Sequence, residues 1–246
     1  MVEARQYLLT VEEGKKLISR AVAAMEWVRE AAREHTLVIV AGTTNGYLAE
    51  IMLDQLGERG DFTRVGFRRG ANTPPGVKAE TGPFANTDVV IRRGEWLRGK
   101  TVYDVAEELG PGDVIVKGAN ALQPDGKAAA VQIGHPQGGT IVPILRAVER
   151  GHARLVIPVG LDKRVSDSVE ALAALLEAHG TPGPKLRPVT GDIVTEVEAF
   201  KALTGARAVL VAAGGVAGAE GGCTFALIGG EEELARAAAL VKDLRA

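Results

Sequence analysis

Two short segments of the 246-residue chain gather residue types suited to handling a small anion. The first, Gly42-Thr43-Thr44-Asn45-Gly46, follows the apolar run Leu37-Val38-Ile39-Val40 and precedes a helical pattern from Tyr47 to Leu56. A strand running into a glycine-bounded turn and then a helix can present backbone N–H groups and threonine hydroxyls to an anion. The same residues also suit a plain strand-to-helix turn capped by Thr or Asn. The second segment, Lys117-Gly118-Ala119-Asn120, ends the β-branched run Val114-Ile115-Val116. Lys117 and Asn120 either face a polar ligand at a strand end or are a solvated lysine and a left-handed turn asparagine. Downstream, Gly134-His135-Pro136-Gln137-Gly138-Gly139 brings a histidine that can exchange protons near neutral pH, with an exposed loop histidine as the other reading. Asp125, in Pro124-Asp125-Gly126, suits a turn, and it is also the one acid near the centre of this stretch.

Composition removes several classes of function. Aromatic residues make up only 4% of the chain, which leaves little for a base-stacking platform, and a net charge of −2 gives no overall attraction to nucleic acid or anionic lipid. No apolar run approaches the length of a membrane span, and no signal peptide is expected, so neither nucleic acid nor membrane is an expected partner and the cytoplasm is the expected location. One cysteine excludes an internal disulfide framework. The four histidines lack metal-ligand spacing, so no metal is expected, nor any other cofactor.

The elements that would position these residues alternate between strands and helices. A capping box at Thr10 and Glu13 opens an amphipathic helix expected to run to Glu34. The run 37–40 and the helix 47–56 follow, then a weak strand at Val65-Gly66-Phe67 and a Gly/Pro-rich loop over 70–87. Arg64, Arg68, Arg69, Arg92 and Arg93 read as solvated charges on edge strands. A short strand over 88–92, a helix capped by Thr101, the strand 114–116, an extended run 128–133, a helix 141–150 and the strand 155–159 complete the larger part. Beyond a helix over 166–179 and a hinge at Thr181-Pro182-Gly183-Pro184, the pattern is strand 186–189, helix 193–203, strands 208–212 and 224–228, and helix 232–244. The expectation is an α/β fold with a Rossmann-like, mostly parallel sheet flanked by helices. Residues 1–180 would form the ligand-binding domain and 181–246 a small α+β, ferredoxin-like unit.

Taken together, the Gly42-Thr43-Thr44 turn, the Gly118-Ala119-Asn120 strand end, Asp125-Gly126 and Gly138-Gly139 resemble, in order and spacing, the superfamily of ribose-5-phosphate isomerase, glucosamine-6-phosphate deaminase and the coenzyme A transferases. The small C-terminal unit is similar to the lid domain of ribose-5-phosphate isomerase. The resemblance implies a sugar-phosphate-like metabolite held at strand ends by Gly42, Thr43, Thr44 and Asn45, with Lys117, Gly118, Ala119, Asn120, Gly138 and Gly139 around the rest, and a homo-oligomer. The chain departs from the family at the acid: Asn120 stands where isomerases carry aspartate, and an amide cannot accept a carbon-bound proton. Either an isomerase-like enzyme uses Asp125 or His135, or the chain is a non-catalytic metabolite sensor or assembly subunit. Coenzyme A transfer would need a nucleophilic glutamate that no segment supplies.

Overall fold

The computed structural model describes residues 2–69, 73, 76–78 and 80–245. In chain order its elements are β1 (Glu3–Leu9), α1 (Val11–Ala24), α2 (Glu26–Glu34), β2 (Thr36–Ile39), α3 (Thr43–Leu56), β3 (Val89–Arg92), β4 (Glu95–Trp96) and α4 (Val102–Val105). There follow β5 (Val114–Val116), β6 (Ala121–Leu122), β7 (Ala129–Ile133), α5 (Ile141–Gly151), β8 (Arg154–Pro158) and α6 (Val169–Ala178). The chain closes with β9 (Lys185–Val189), β10 (Asp192–Val194), α7 (Glu196–Thr204), β11 (Arg207–Ala213), β12 (Cys223–Gly229) and α8 (Glu231–Leu244). The architecture is mixed α/β.

A six-stranded sheet in the order β10-β8-β5-β2-β3-β4 organises the molecule. It is parallel from β10 to β2 and antiparallel from β2 through β3 to β4. Every residue of β2 and β5 is buried, which explains why both read as unbroken apolar runs rather than alternating ones. The chain leaves β2 toward β3 on one side, whereas β5 leads to β8 on the other. The strand order therefore reverses at the carboxyl ends of β2 and β5. Because β3 is antiparallel, its first residues lie at that same edge, with Val89 opposite Ile39.

Two smaller antiparallel sheets complete the fold, β1-β12-β11 and β6-β7-β9. In β12 buried and partly exposed positions alternate strictly, so one face carries the core and contacts α8.

Several expectations change on folding. The first helix breaks at Met25, which adopts an extended conformation (φ −66°, ψ 124°). A straight helix from residue 11 to 34 would be about 36 Å long; the break lets α1 pack on α3 and α7 while α2 turns onto β2 and β3. The segment 193–203 begins as a strand, because Asp192–Val194 completes the large sheet beside β8, and α7 starts only after Thr195, which caps it in a box with Glu198. Strands from both sides of residue 181 thus share sheets: β10 joins the large sheet, and β1 pairs with β12 along its whole length. β9, read as part of a ferredoxin-like unit, instead pairs with β7.

Residues 65–67 form a turn rather than a strand. Gly66 has φ +72°, and a Cβ there would lie 2.3 Å from the Gly82 nitrogen, because the 81–82 backbone crosses directly over it. Phe67 then enters an aromatic cluster with Phe62 (ring centroids 5.2 Å apart), which also contacts Phe84 and Trp96. Gly66→Ala is expected to destabilise the protein by about 1–3 kcal/mol, read as a lowered urea midpoint, since both the left-handed backbone and the crossing 81–82 segment resist a side chain. The part of the 70–87 loop that is described, outside residues 70–72, 74, 75 and 79, contains neither helix nor strand.

Candidate functional site

At the carboxyl edge of the large sheet one buried carboxylate sits among partly buried cations. Asp88, just before β3, is completely buried (0% exposed). Its Oδ1 accepts from the Ala41 N–H (2.9 Å) and Arg69 Nε (3.0 Å), and its Oδ2 accepts from the Val102 N–H (2.8 Å). The carboxylate therefore ties the end of β2 to the start of α4 and fixes Arg69, whose Nη2 also reaches the Asn86 carbonyl. A buried charge persists only when its acceptor sites are filled in this way.

Beside this network stands Lys117, the first residue after β5. Its Nζ donates to the Gly118 carbonyl (3.0 Å), and Lys163 Nζ donates to the adjacent Ala119 carbonyl (3.0 Å). Two ammonium groups thus share one loop. Burial pushes the Lys117 ammonium down to about 8, the nearby Lys163 and Arg69 cations add to that, and only the Asp88 carboxylate opposes it. Lys163 is lowered as well, chiefly by burial.

Lys117 lines a cleft of about 650 Å³ together with Arg68, Arg69, Tyr103, His135 and Gly139. One wall is β7 and the loop that follows it, and α5 begins at the margin. Thr140 provides no side-chain cap to α5, but Pro143 has no N–H and the Val142 N–H donates to the Gly139 carbonyl (3.4 Å), so this helix end offers an anion chiefly its dipole. Among the described residues no aspartate or glutamate lines the cleft. The arginines at 68 and 69, read from the sequence as solvated edge charges, are instead part of its wall.

The two segments read from the sequence as suited to an anion lie side by side. Asn45 Nδ2 donates to the carbonyls of Val40 (2.7 Å) and Val116 (3.1 Å), stitching the ends of β2 and β5 together. Gly42, Thr43, Thr44 and Asn45 nevertheless do not line the cleft. Asn45 and Thr44 are buried, and the Thr44 carbonyl accepts from the Ser19 hydroxyl (2.9 Å), so this turn packs α3 against α1. Residues 43–45, expected to precede the helix, form the first turn of α3, and of the three only Thr43 is exposed.

In the second segment Lys117 and Asn120 line the cleft, whereas Gly118 and Ala119 contribute carbonyls to the two lysines. Asn120 Oδ1 accepts from the Gln132 N–H (2.9 Å) and its own N–H donates to the Ala130 carbonyl (2.9 Å), anchoring the loop to β7. His135, Gly138 and Gly139 all border the cleft. His135 Nδ1 accepts from the Gln137 N–H (3.1 Å), which places the proton of the neutral ring on Nε2.

Asp125 does not join them. It is exposed in the β6–β7 turn, accepting from the Lys127 N–H (2.9 Å) and Gln123 Nε2 (3.1 Å), and the Lys127 bond holds its carboxyl below the usual range. Turn chemistry explains this residue, and the assignment as a catalytic acid is corrected.

Sequence reading missed Asp88, Lys163 and Glu196. Glu196 is 4% exposed, and its Oε2 accepts from the Leu161 N–H (3.0 Å). Burial pushes its carboxyl up to about 7, with Asp162 adding to the effect and its own N–H, that of Leu161 and Lys163 opposing it. Asp88 had one weak signal, an acid immediately before the β-branched run Val89-Val90-Ile91. Glu196 had none, because helix first turns commonly carry acids. Cys223 is buried, and desolvation raises its thiol to about 11, so little thiolate exists at neutral pH. Among the described residues no cluster of His, Cys, Asp and Glu could hold a metal ion, and no helix is long and apolar enough to cross a membrane.

Comparison of the chain with protein-family models, curated proteins and solved structures finds no match.

Proposed function

We propose that the protein binds a small phosphorylated metabolite, of the sugar-phosphate type, in the cleft at the carboxyl edge of the large sheet. The observation that carries this reading is the charge of the walls: Arg68, Arg69 and Lys117 line the cavity, no acid among the described residues lines it, and the buried Asp88 behind them is bonded to Arg69 alone of the three. The helix dipole at the N-terminus of α5 adds to the same preference. The volume suits a ligand of this size, since small-molecule pockets commonly span about 300–1,000 Å³. The parallel run from β10 to β2, with its cleft at the point of strand reversal, supports a Rossmann-like reading of the sheet and with it the likeness to sugar-phosphate isomerases.

The phosphate position differs from that expected of the family turn. Arg68 replaces Gly42-Thr43-Thr44 as the anion ligand, because the turn lies outside the cleft lining. Calorimetric titration with ribose 5-phosphate and other sugar phosphates should give binding that weakens as salt rises. Arg68→Ala should reduce affinity about tenfold, the loss of one charge-assisted contact, while Thr43→Ala leaves it unchanged. The opposite pattern would return the phosphate to the turn, and silence toward every phosphate would end the proposal.

The absence of a carboxylate from the described lining gives specific support to the second reading, a binding or sensing protein without the isomerase reaction. In that case ligand binding occurs with no aldose–ketose interconversion detectable by NMR. Turnover by the unmodified protein would exclude it.

A further inference from the structure

We infer that Lys117 is a nucleophilic amine that forms an imine with the carbonyl carbon of a phosphorylated aldehyde or ketone, an inference that rests on the cleft being a phosphate site. Lys117 stands at a strand end on the cleft wall, where a bound ligand meets its side chain. Its described hydrogen bond goes to a neutral acceptor, the Gly118 carbonyl, and among the described residues it forms no ion pair. The nearest buried acid, Asp88, is already occupied by Ala41, Val102 and Arg69. Lys163 is bound one carbonyl further along the same loop, and its cation opposes the protonation of Lys117. A desolvated lysine beside a second cation is one of the established ways of making a neutral, attacking amine near neutral pH. With a value of about 8, roughly a tenth of Lys117 is unprotonated at pH 7, against about one part in three thousand for an ordinary lysine.

The step balances without an oxidant or reductant. The amine lone pair attacks the carbonyl carbon, a C–N bond forms, and the π pair moves to oxygen, which takes a proton. The nitrogen gives up one proton to form the carbinolamine, the hydroxyl takes a proton from solvent and leaves as water, and the nitrogen keeps its other proton in the C=NH+ that results. Arg68 holds the phosphate and does not take part. A cleft without an acid in its described lining is then suited to electron withdrawal by an imine rather than to carboxylate-driven enolisation.

The test uses glyceraldehyde 3-phosphate, which has both phosphate and carbonyl, and glycerol 3-phosphate, which has the phosphate alone. Full-length protein incubated with glyceraldehyde 3-phosphate and sodium cyanoborohydride should gain the mass of one reduced adduct, and peptide mapping should place it on Lys117. Labelling there at pH 8 should run at least about tenfold faster than at the other lysines, with a pH midpoint near 8. Inorganic phosphate should suppress it. Lys117→Arg, which keeps the charge, should bind glycerol 3-phosphate and gain no adduct. Binding of glycerol 3-phosphate without an adduct on wild-type Lys117 overturns the imine and leaves the phosphate site standing. Adducts spread evenly over surface lysines also overturn it. Failure of glycerol 3-phosphate to bind overturns the phosphate site itself, and this inference with it.

Discussion

Asp88→Ala is expected to lower the unfolding free energy by about 3–5 kcal/mol, the usual cost of removing one partner from a buried charge network. Three donors lose their acceptor at once: the N–H groups of Ala41 and Val102 and the Arg69 guanidinium. The two backbone N–H groups cannot be rehydrated without opening the junction of β2, β3 and α4, whereas Arg69 lines the cleft and can turn to water. Asp88→Asn should recover part of the loss, because its carbonyl can still serve Ala41 and Arg69, but its NH2 group would face the Val102 N–H. Arg69→Met should cost less than Asp88→Ala, since the carboxylate keeps two backbone donors. Urea denaturation of the three variants would check this ordering. A loss below about 1 kcal/mol for Asp88→Ala, the range of an exposed ion pair, would mean that the junction is held by packing alone. The same variant frees Arg69 from its fixed position, so weaker sugar-phosphate binding should accompany the lost stability.

Glu196 should make the protein less stable as pH rises from about 4.5 to about 7. Its carboxyl is raised from 4.5 to about 7, so across that window the folded state holds a proton that the unfolded state has released. A raised carboxyl contributes fully below the unfolded value and loses its contribution as pH climbs to the folded one. The total is about 3 kcal/mol, taken from the size of the shift. Desolvation is the chief cause, with Asp162 adding to it. The surroundings leave little room for relief: a Cβ on Gly14 of α1 would lie 2.7 Å from Glu196 Oε1, and one on Gly160 would lie 3.1 Å from it. Lys163 is the neighbouring cation that opposes the shift, and it is tied to the Ala119 carbonyl. Glu196→Gln keeps an acceptor for the Leu161 N–H and removes the titration. Its urea midpoint should therefore change less than that of the wild type between pH 5 and pH 8, and parallel profiles would show that Glu196 is ionised throughout.

What local chemistry could announce, the sequence announced. Thr10 with Glu13 and Thr101 with Asp104 form the expected capping boxes because their partners lie three residues away. The Pro124-Asp125-Gly126 turn forms for the same reason, with Asp125 closing it onto Lys127. β2 and β5 were legible as buried strands because a sheet covered on both faces demands continuous apolar residues. Where the reading missed, the deciding partner was distant: Asp192–Val194 is a strand because β8 lies beside it, and Glu3–Leu9 because β12 does.

For the site, the sequence by itself determined that polar residues follow two buried strands and that glycine-rich turns sit beside them. Only the tertiary structure decided which of those residues share a cleft. It moved Thr44 and Asn45 into the packing of α3, left Asp125 in solvent, and brought Arg68, Arg69, Lys117 and His135 to one cavity. The physical reason is that a charged side chain's character depends on what removes water from it and what pairs with it. For Lys117 those groups are Asp88, Arg69 and Lys163, each carried in by a different part of the chain.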